Sequence, residues 1–150
     1  MNFKNDILQM LLLHDLGETV TGDISRPEKR INQDFFDEEE RKVMHSLLLS
    51  GTYPNSVNLS EYLTLWNTWD SGKSINARIA KDIDNIQAVY QFCNYYVKSP
   101  QNFSREDIYY WVAGIEDVKT SIGNDIVSIL LLNNPLYSEI MKIYFSEDTF

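Results

Sequence analysis

Apolar residues recur at helical spacing along nearly the whole of this 150-residue chain, and no stretch alternates apolar and polar residues between hairpin turns. Ile7, Leu8, Leu11 and Leu12 lead along one helix face to Asp15, and Gly17 is a stop signal. Residues 18–33 hold Gly22 and Pro27 and read as a loop with room for a short turn. A second helix is expected from near Asp34 to about Ser50, stopped by Gly51. Asp37-Glu38-Glu39-Glu40 would then fall in its first turn, where carboxylates favour the helix dipole; that reading is preferred over an acidic metal site. Ser60 reads as the N-cap of a short helix carrying Leu63, Trp66 and Trp69 and broken by Gly72.

Ser74 opens the longest helix, to about Val97, with Ile75, Ile79, Ile83, Ile86 and Val89 on its apolar stripe and Ser99-Pro100 ending it. Ser104-Arg105-Glu106-Asp107 has the form of a capping box with Asp in place of the usual Glu. Two further helices are expected near residues 124–132 and 135–146, with Pro135 in the first turn of the last. The expected fold class is all-α, a bundle of six or seven helices forming one domain over residues 1–150.

Charge narrows the choice of ligand. Thirteen Lys and Arg stand against 22 Asp and Glu, for a net charge of -9. Nucleic-acid affinity comes from cations that neutralise phosphates, so a nucleic-acid partner is not expected, nor is an anionic lipid surface. A phosphorylated small molecule would need its charge met by something else, and a bound cation is the obvious candidate. The single cysteine, Cys93, sits among aromatic residues and reads as a small buried hydrophobe, with no disulfide framework possible within the chain. No apolar run approaches the ~18 residues that span a bilayer, and the opening residues lack the basic and apolar regions of a secretory leader. The expected location is the cytoplasm.

The chemistry concentrates in Leu13-His14-Asp15-Leu16-Gly17-Glu18-Thr19-Val20-Thr21-Gly22-Asp23. His14 and Asp15 are neighbours at the end of an apolar helix, ~100° apart around its axis, so both can reach one ion. Imidazole with carboxylate suits a divalent transition metal. Glu18 would share their face if the helix continued, and Asp23 follows a Gly able to make a sharp return. A His-Asp pair also arises by chance, and a helix-terminal His often serves only the last carbonyls. In the longest helix Asp84 lies close to the apolar stripe, where an unpaired carboxylate is costly; a metal or a buried Arg would account for it. Lys81, one turn earlier, could reach a phosphate or pair near Asp84, whereas Asp82 points elsewhere and is expected to be solvated.

His14-Asp15-Leu16-Gly17-Glu18 with Gly22-Asp23, followed by Lys81-Asp82-Ile83-Asp84, resembles the HD-domain metal-dependent phosphohydrolases, and within them the YfbR-like 5'-deoxynucleotidases. The resemblance covers residues 5 to about 97 and implies an HD-type helical bundle. It also implies that His14, Asp15 and Asp84 hold one divalent ion (Mn, Co, Fe, Ni, Zn or Mg). Glu18 and Asp23 would be catalytic, and the substrate would be a deoxynucleoside 5'-monophosphate or related nucleotide, with Lys81 a candidate for binding it. The family's first histidine, on a helix before the His-Asp pair, has no counterpart among the 13 residues preceding His14, nor do the branch's substrate-selecting Arg and Trp. Against the family the chain therefore reads as shortened at its N-terminus. His45 reads as solvated or partly packed. Without the family's preceding helices part of the face of Ile7, Leu8, Leu11 and Leu12 would be open, and a homo-oligomer, a dimer, is expected to cover it. The alternative is a degenerate, non-catalytic HD fold that binds a nucleotide or a protein.

Overall fold

The computed structural model describes residues 3–24, 26–50 and 59–146. Seven α-helices of seven residues or more dominate it, and among the described residues there is no strand. The packing divides into two compact units, Met1–Ala77 and Arg78–Phe150.

In the first unit, α1 (Phe3–Leu13) and α4 (Gln33–Ser50) both pack on α5 (Leu59–Ser71). The segment expected as a loop instead folds into two short helices, α2 (Glu18–Thr21) and α3 (Arg26–Ile31), which lie on α4. Met44 and Leu48, one turn apart on α4, meet Trp66 of α5 in a core flanked by Leu13, Leu16, Tyr62 and Leu63. Ile7 and Met10 turn inward from α1, while Leu8 is 60% and Leu12 82% exposed, so part of that helix's apolar face is open. Asp6 is also buried and accepts from the Asn76 amide at 3.4 Å.

Two local expectations are corrected here. Helix α4 begins at Gln33, which puts the acidic run in its second turn rather than its first. Its carboxylates meet cations instead: Arg41 pairs with Glu38 at 2.9 Å, Lys42 with Glu39 at 2.9 Å and Lys29 with Glu40 at 3.2 Å. Ser60 is not an N-cap, because α5 already includes Leu59, and the Ser60 carbonyl accepts from the Thr64 hydroxyl. Gly51, the expected stop of α4, lies outside the described residues. Gly72 does end α5, with a φ of 61° that favours glycine.

The longest helix, α6 (Ile75–Lys98), is capped by the Ser74 hydroxyl, which accepts from the Ala77 N–H at 3.0 Å. From Arg78 onward it belongs to the second unit. Ile79, Ile86 and Val89 of the expected stripe are buried, while Ile75 at its start is exposed. Ile86, Val89, Phe92 and Cys93 build a core with Ile108 and Val112 of α7 (Arg105–Val112), Val127 of α8 (Ser121–Val127), and Tyr137, Ile140 and Met141 of α9 (Pro135–Phe145). Cys93 is fully enclosed, and burial pushes its thiol up to about 12. The capping box at α7 is complete: Ser104 Oγ accepts from the Asp107 N–H, and Asp107 Oδ2 accepts from the Ser104 N–H at 2.7 Å.

The helix expected near 124–132 starts earlier, at Ser121 behind the N-cap Thr120, and its last part, Ser128–Leu132, widens into a π-turn. Asp82 explains the early start and is the clearest correction. Rather than being solvated it is 3% exposed, and it accepts from Lys119 N at 3.0 Å, Thr120 N at 2.7 Å and Thr120 Oγ1 at 2.5 Å. The carboxylate therefore fixes the strand of backbone that launches α8. Among the described residues no helix is long and apolar enough to cross a membrane.

Candidate functional site

The end of α1 shapes the site. After Leu13 the chain makes one tight turn, in which the Glu18 N–H bonds back to the Asp15 carbonyl at 3.0 Å, and α2 follows at once. Gly22 then closes α2 at a φ of 80°, a left-handed conformation that any side chain would strain, and its N–H returns to the Glu18 carbonyl. His14, Asp15, Glu18 and Asp23 are thus brought into one short stretch of the first unit by two reversals of the backbone.

The two ring nitrogens of His14 have different tasks. Nδ1 lies 2.8 Å from the Leu11 carbonyl oxygen, which can only accept, so Nδ1 carries a proton. Nε2 lies 3.1 Å from Asp15 Oδ2. With Nδ1 donating, Nε2 offers a lone pair beside a carboxylate oxygen, an arrangement that a second proton or a metal ion would favour. A backbone carbonyl holding the far nitrogen is also how metal-bound imidazoles are oriented. The donor set of this pair therefore fits a divalent ion. The His14 ring rests against the Trp69 ring, with centroids 4.9 Å apart, and its side chain is 15% exposed, against 63% for Asp15.

Glu18 faces a cavity of about 240 Å³ whose walls include Thr21, Lys29, Phe35, Phe36 and Glu40. Burial raises the Glu18 carboxyl above the usual range; the charges of Asp15, Asp23 and Glu40 push the same way, and Lys29 opposes them. Lys29 is itself held above the ordinary lysine value: burial lowers it, but its ion pair with Glu40 and the charges of Asp37 and Glu18 outweigh that. Asp23 is exposed. Sequence spacing alone does not mark Lys29, Glu40 or Trp69: Lys29 falls in a stretch without helical periodicity, Glu40 in an acidic run that suits a helix dipole, and Trp69 among the apolar residues of a short helix.

Asp84 and Lys81 stand on α6 in the second unit, one turn apart and both half-buried, with Asp82 turned to its backbone partners. Within neither unit do the described residues gather three His, Cys, Asp or Glu side chains in a metal-holding cluster. His45 on α4 is half-buried.

The described residues thus form an all-helical chain with a His-Asp pair at the end of α1 and an acid one turn on. The HD domain model matches residues 4–119, and the chain belongs to that family, whose members in general depend on a divalent metal. The chain is 27% identical over 92 residues to 5'-deoxynucleotidase HDDC2 of Dictyostelium discoideum, covering 61% of this chain and 46% of that protein. It is 24% identical over 92 residues to 5'-deoxynucleotidase HDDC2 of Danio rerio, covering 61% and 44%. To 5'-deoxynucleotidase YGK1 of Saccharomyces cerevisiae it is 26% identical over 118 residues, covering 78% and 53%. The chain thus spans about half the length of the curated relatives it matches. No solved structure matches it significantly.

Proposed function

We propose that this chain carries the metal-binding part of an HD-type phosphohydrolase acting on deoxynucleoside 5'-monophosphates or related nucleotides. The observation that carries the reading is the apposition of His14 Nε2 and the Asp15 carboxylate, with Nδ1 already committed to a backbone carbonyl. His14 and Asp15 would hold the ion together with Asp84. When bound, such an ion lowers the pKa of a water and neutralises charge developing on a phosphate. Glu18, half-buried among other acids, holds its proton more tightly than a surface glutamate and suits the transfer of a proton to and from the reacting oxygens. Asp23, beyond the Gly22 reversal, is its partner in that task, and Lys81 supplies a positive charge for the phosphate. The family names of the relatives support the substrate class. Leu8 and Leu12, exposed on α1, support the further reading that the chain works as a homo-oligomer, a dimer.

The test is phosphate release from several deoxynucleoside monophosphates, with added Mn or Co and with a chelator. The expected result is turnover that needs metal and is lost in Glu18→Ala. Metal uptake is expected to vanish in Asp84→Ala. Metal binding with no release from any deoxynucleotide would replace this reading with the non-catalytic one.

A further inference from the structure

The second unit carries a concave surface that the proposed phosphate chemistry does not use. Between α6 and α7 lies a groove of about 270 Å³ lined by Gln87, Gln91, Phe92, Tyr95, Phe103 and Trp111. Its base is rigid. Phe92 is 3% exposed and meets Phe103 edge-to-face at 5.3 Å. The Trp111 indole lies parallel to the Phe92 ring, 11° from coplanar with centroids 6.2 Å apart, and the Tyr110 ring abuts it edge-on. Trp111 nevertheless stays 44% exposed and Tyr95 53% exposed. The Trp111 ring is thus held at the surface by packing beneath it, with the exposed Tyr95 ring and a pair of carboxamides one helical turn apart lining the same groove.

We propose that this groove binds a neutral planar heteroaromatic, a nucleobase or its nucleoside. Four features select that class. The volume falls just below the ~300–1,000 Å³ of sites for drug-sized ligands, which suits one base with its sugar rather than a larger molecule. The exposed indole and phenol offer stacking faces, which are worth most to a flat π-system. The Gln87 and Gln91 carboxamides each present a donor and an acceptor, the complement of a base edge. The residues lining the groove carry no charge, and the chain's net charge is -9, so a phosphate would meet no counter-charge there. The ligand is therefore the dephosphorylated nucleoside or base, not the nucleotide. The preference for a nucleoside over other flat heteroaromatics rests on the nucleotide chemistry proposed above: a nucleoside is what phosphate release from a nucleotide leaves behind, so the groove would take the product class.

The experiment is a titration of the full chain, without metal, with deoxyadenosine, deoxyguanosine and thymidine, following the indole N–H signals of Trp66, Trp69 and Trp111 by NMR. Deoxyribose and toluene serve as controls for the sugar and for a merely apolar ring. Saturable movement of the Trp111 signal and the Gln91 carboxamide is expected with the nucleosides. Affinity should fall ~5- to 100-fold in Trp111→Ala. Gln91→Ala, which leaves the aromatic base intact, should weaken nucleosides several-fold and toluene not at all. A Trp111 signal that stays still up to the solubility limit would overturn the proposal, as would toluene binding as tightly as the nucleosides or an affinity untouched by Gln91→Ala. Because no phosphate and no metal are present, the outcome is independent of whether the chain hydrolyses nucleotides.

Discussion

Asp82 receives three hydrogen bonds from a single two-residue segment, and Asp82→Ala would leave the buried Thr120 N–H and hydroxyl, and the Lys119 N–H, without their acceptor. Denaturant unfolding is expected to show a loss of about 3 kcal/mol, the cost of orphaning such groups around a buried charge. Gly123 is part of the same device: a Cβ there would stand 2.5 Å from Asp82 Oδ2 and 2.7 Å from Val118, so Gly123→Ala must also destabilise. Asp84→Ala, two residues along the same helix, should instead be read in metal uptake, measured by titration calorimetry. Sequence periodicity puts these two aspartates on different faces but cannot say which face has a partner; the partner of Asp82 lies 37 and 38 residues on. The apposition of His14 and Asp15 follows from their being adjacent in the sequence and needs no long-range contact. Cys93 was legible for a similar reason, its aromatic neighbours being local. Its thiol should resist a disulfide reagent in the native protein and react fully once denaturant is added.

At the scale of elements, the boundaries that sequence revealed are those written in short-range chemistry. Ser74, the Ser104–Asp107 box and Gly72 each act within a turn of their own position. The start of α8 and the pairing of Glu40 are not written locally, because their causes are tertiary: a buried carboxylate in one case, Lys29 from a neighbouring helix in the other, whereas Glu38 and Glu39 pair within α4. The α7 box makes a pH prediction. The hydrogen bonds from the Ser104 backbone and hydroxyl hold the Asp107 carboxyl below the usual aspartate range. A lowered value in the folded state means the cap's contribution is complete above the ordinary aspartate range and is lost as pH falls through the depressed one. Carbon NMR titration should find Asp107 ionised below its normal range, and Ser104→Ala, which removes the hydroxyl but keeps the backbone N–H, should move it part of the way back up. At α3, Lys29→Met should cost about 1 kcal/mol, since it leaves Glu40 and Asp37 without their cation while the neighbouring acids remain.

On the scale of the whole chain, each unit has its own apolar packing. Met44, Leu48 and Trp66 pack together in the first, where Ile7, Met10 and Leu65 are also buried, and Trp66 Nε1 finds no acceptor among the described residues. In the second, twelve buried side chains form one cluster. Hydrogen exchange should accordingly be slowest for the α6 amides between Ile86 and Cys93, and fastest in α2 and α3, which lie outside both centres. The bonds that Thr120 donates to Asp82 have a temporal consequence. They close a loop of 38 residues in the chain, and closing it loses entropy that is recovered only once α7 has folded and the intervening chain has collapsed. Such contacts form late. In a chevron analysis, Asp82→Asn should leave the refolding arm nearly in place and raise the unfolding rate, so that the carboxylate sets how long the folded molecule lasts rather than how quickly it is made.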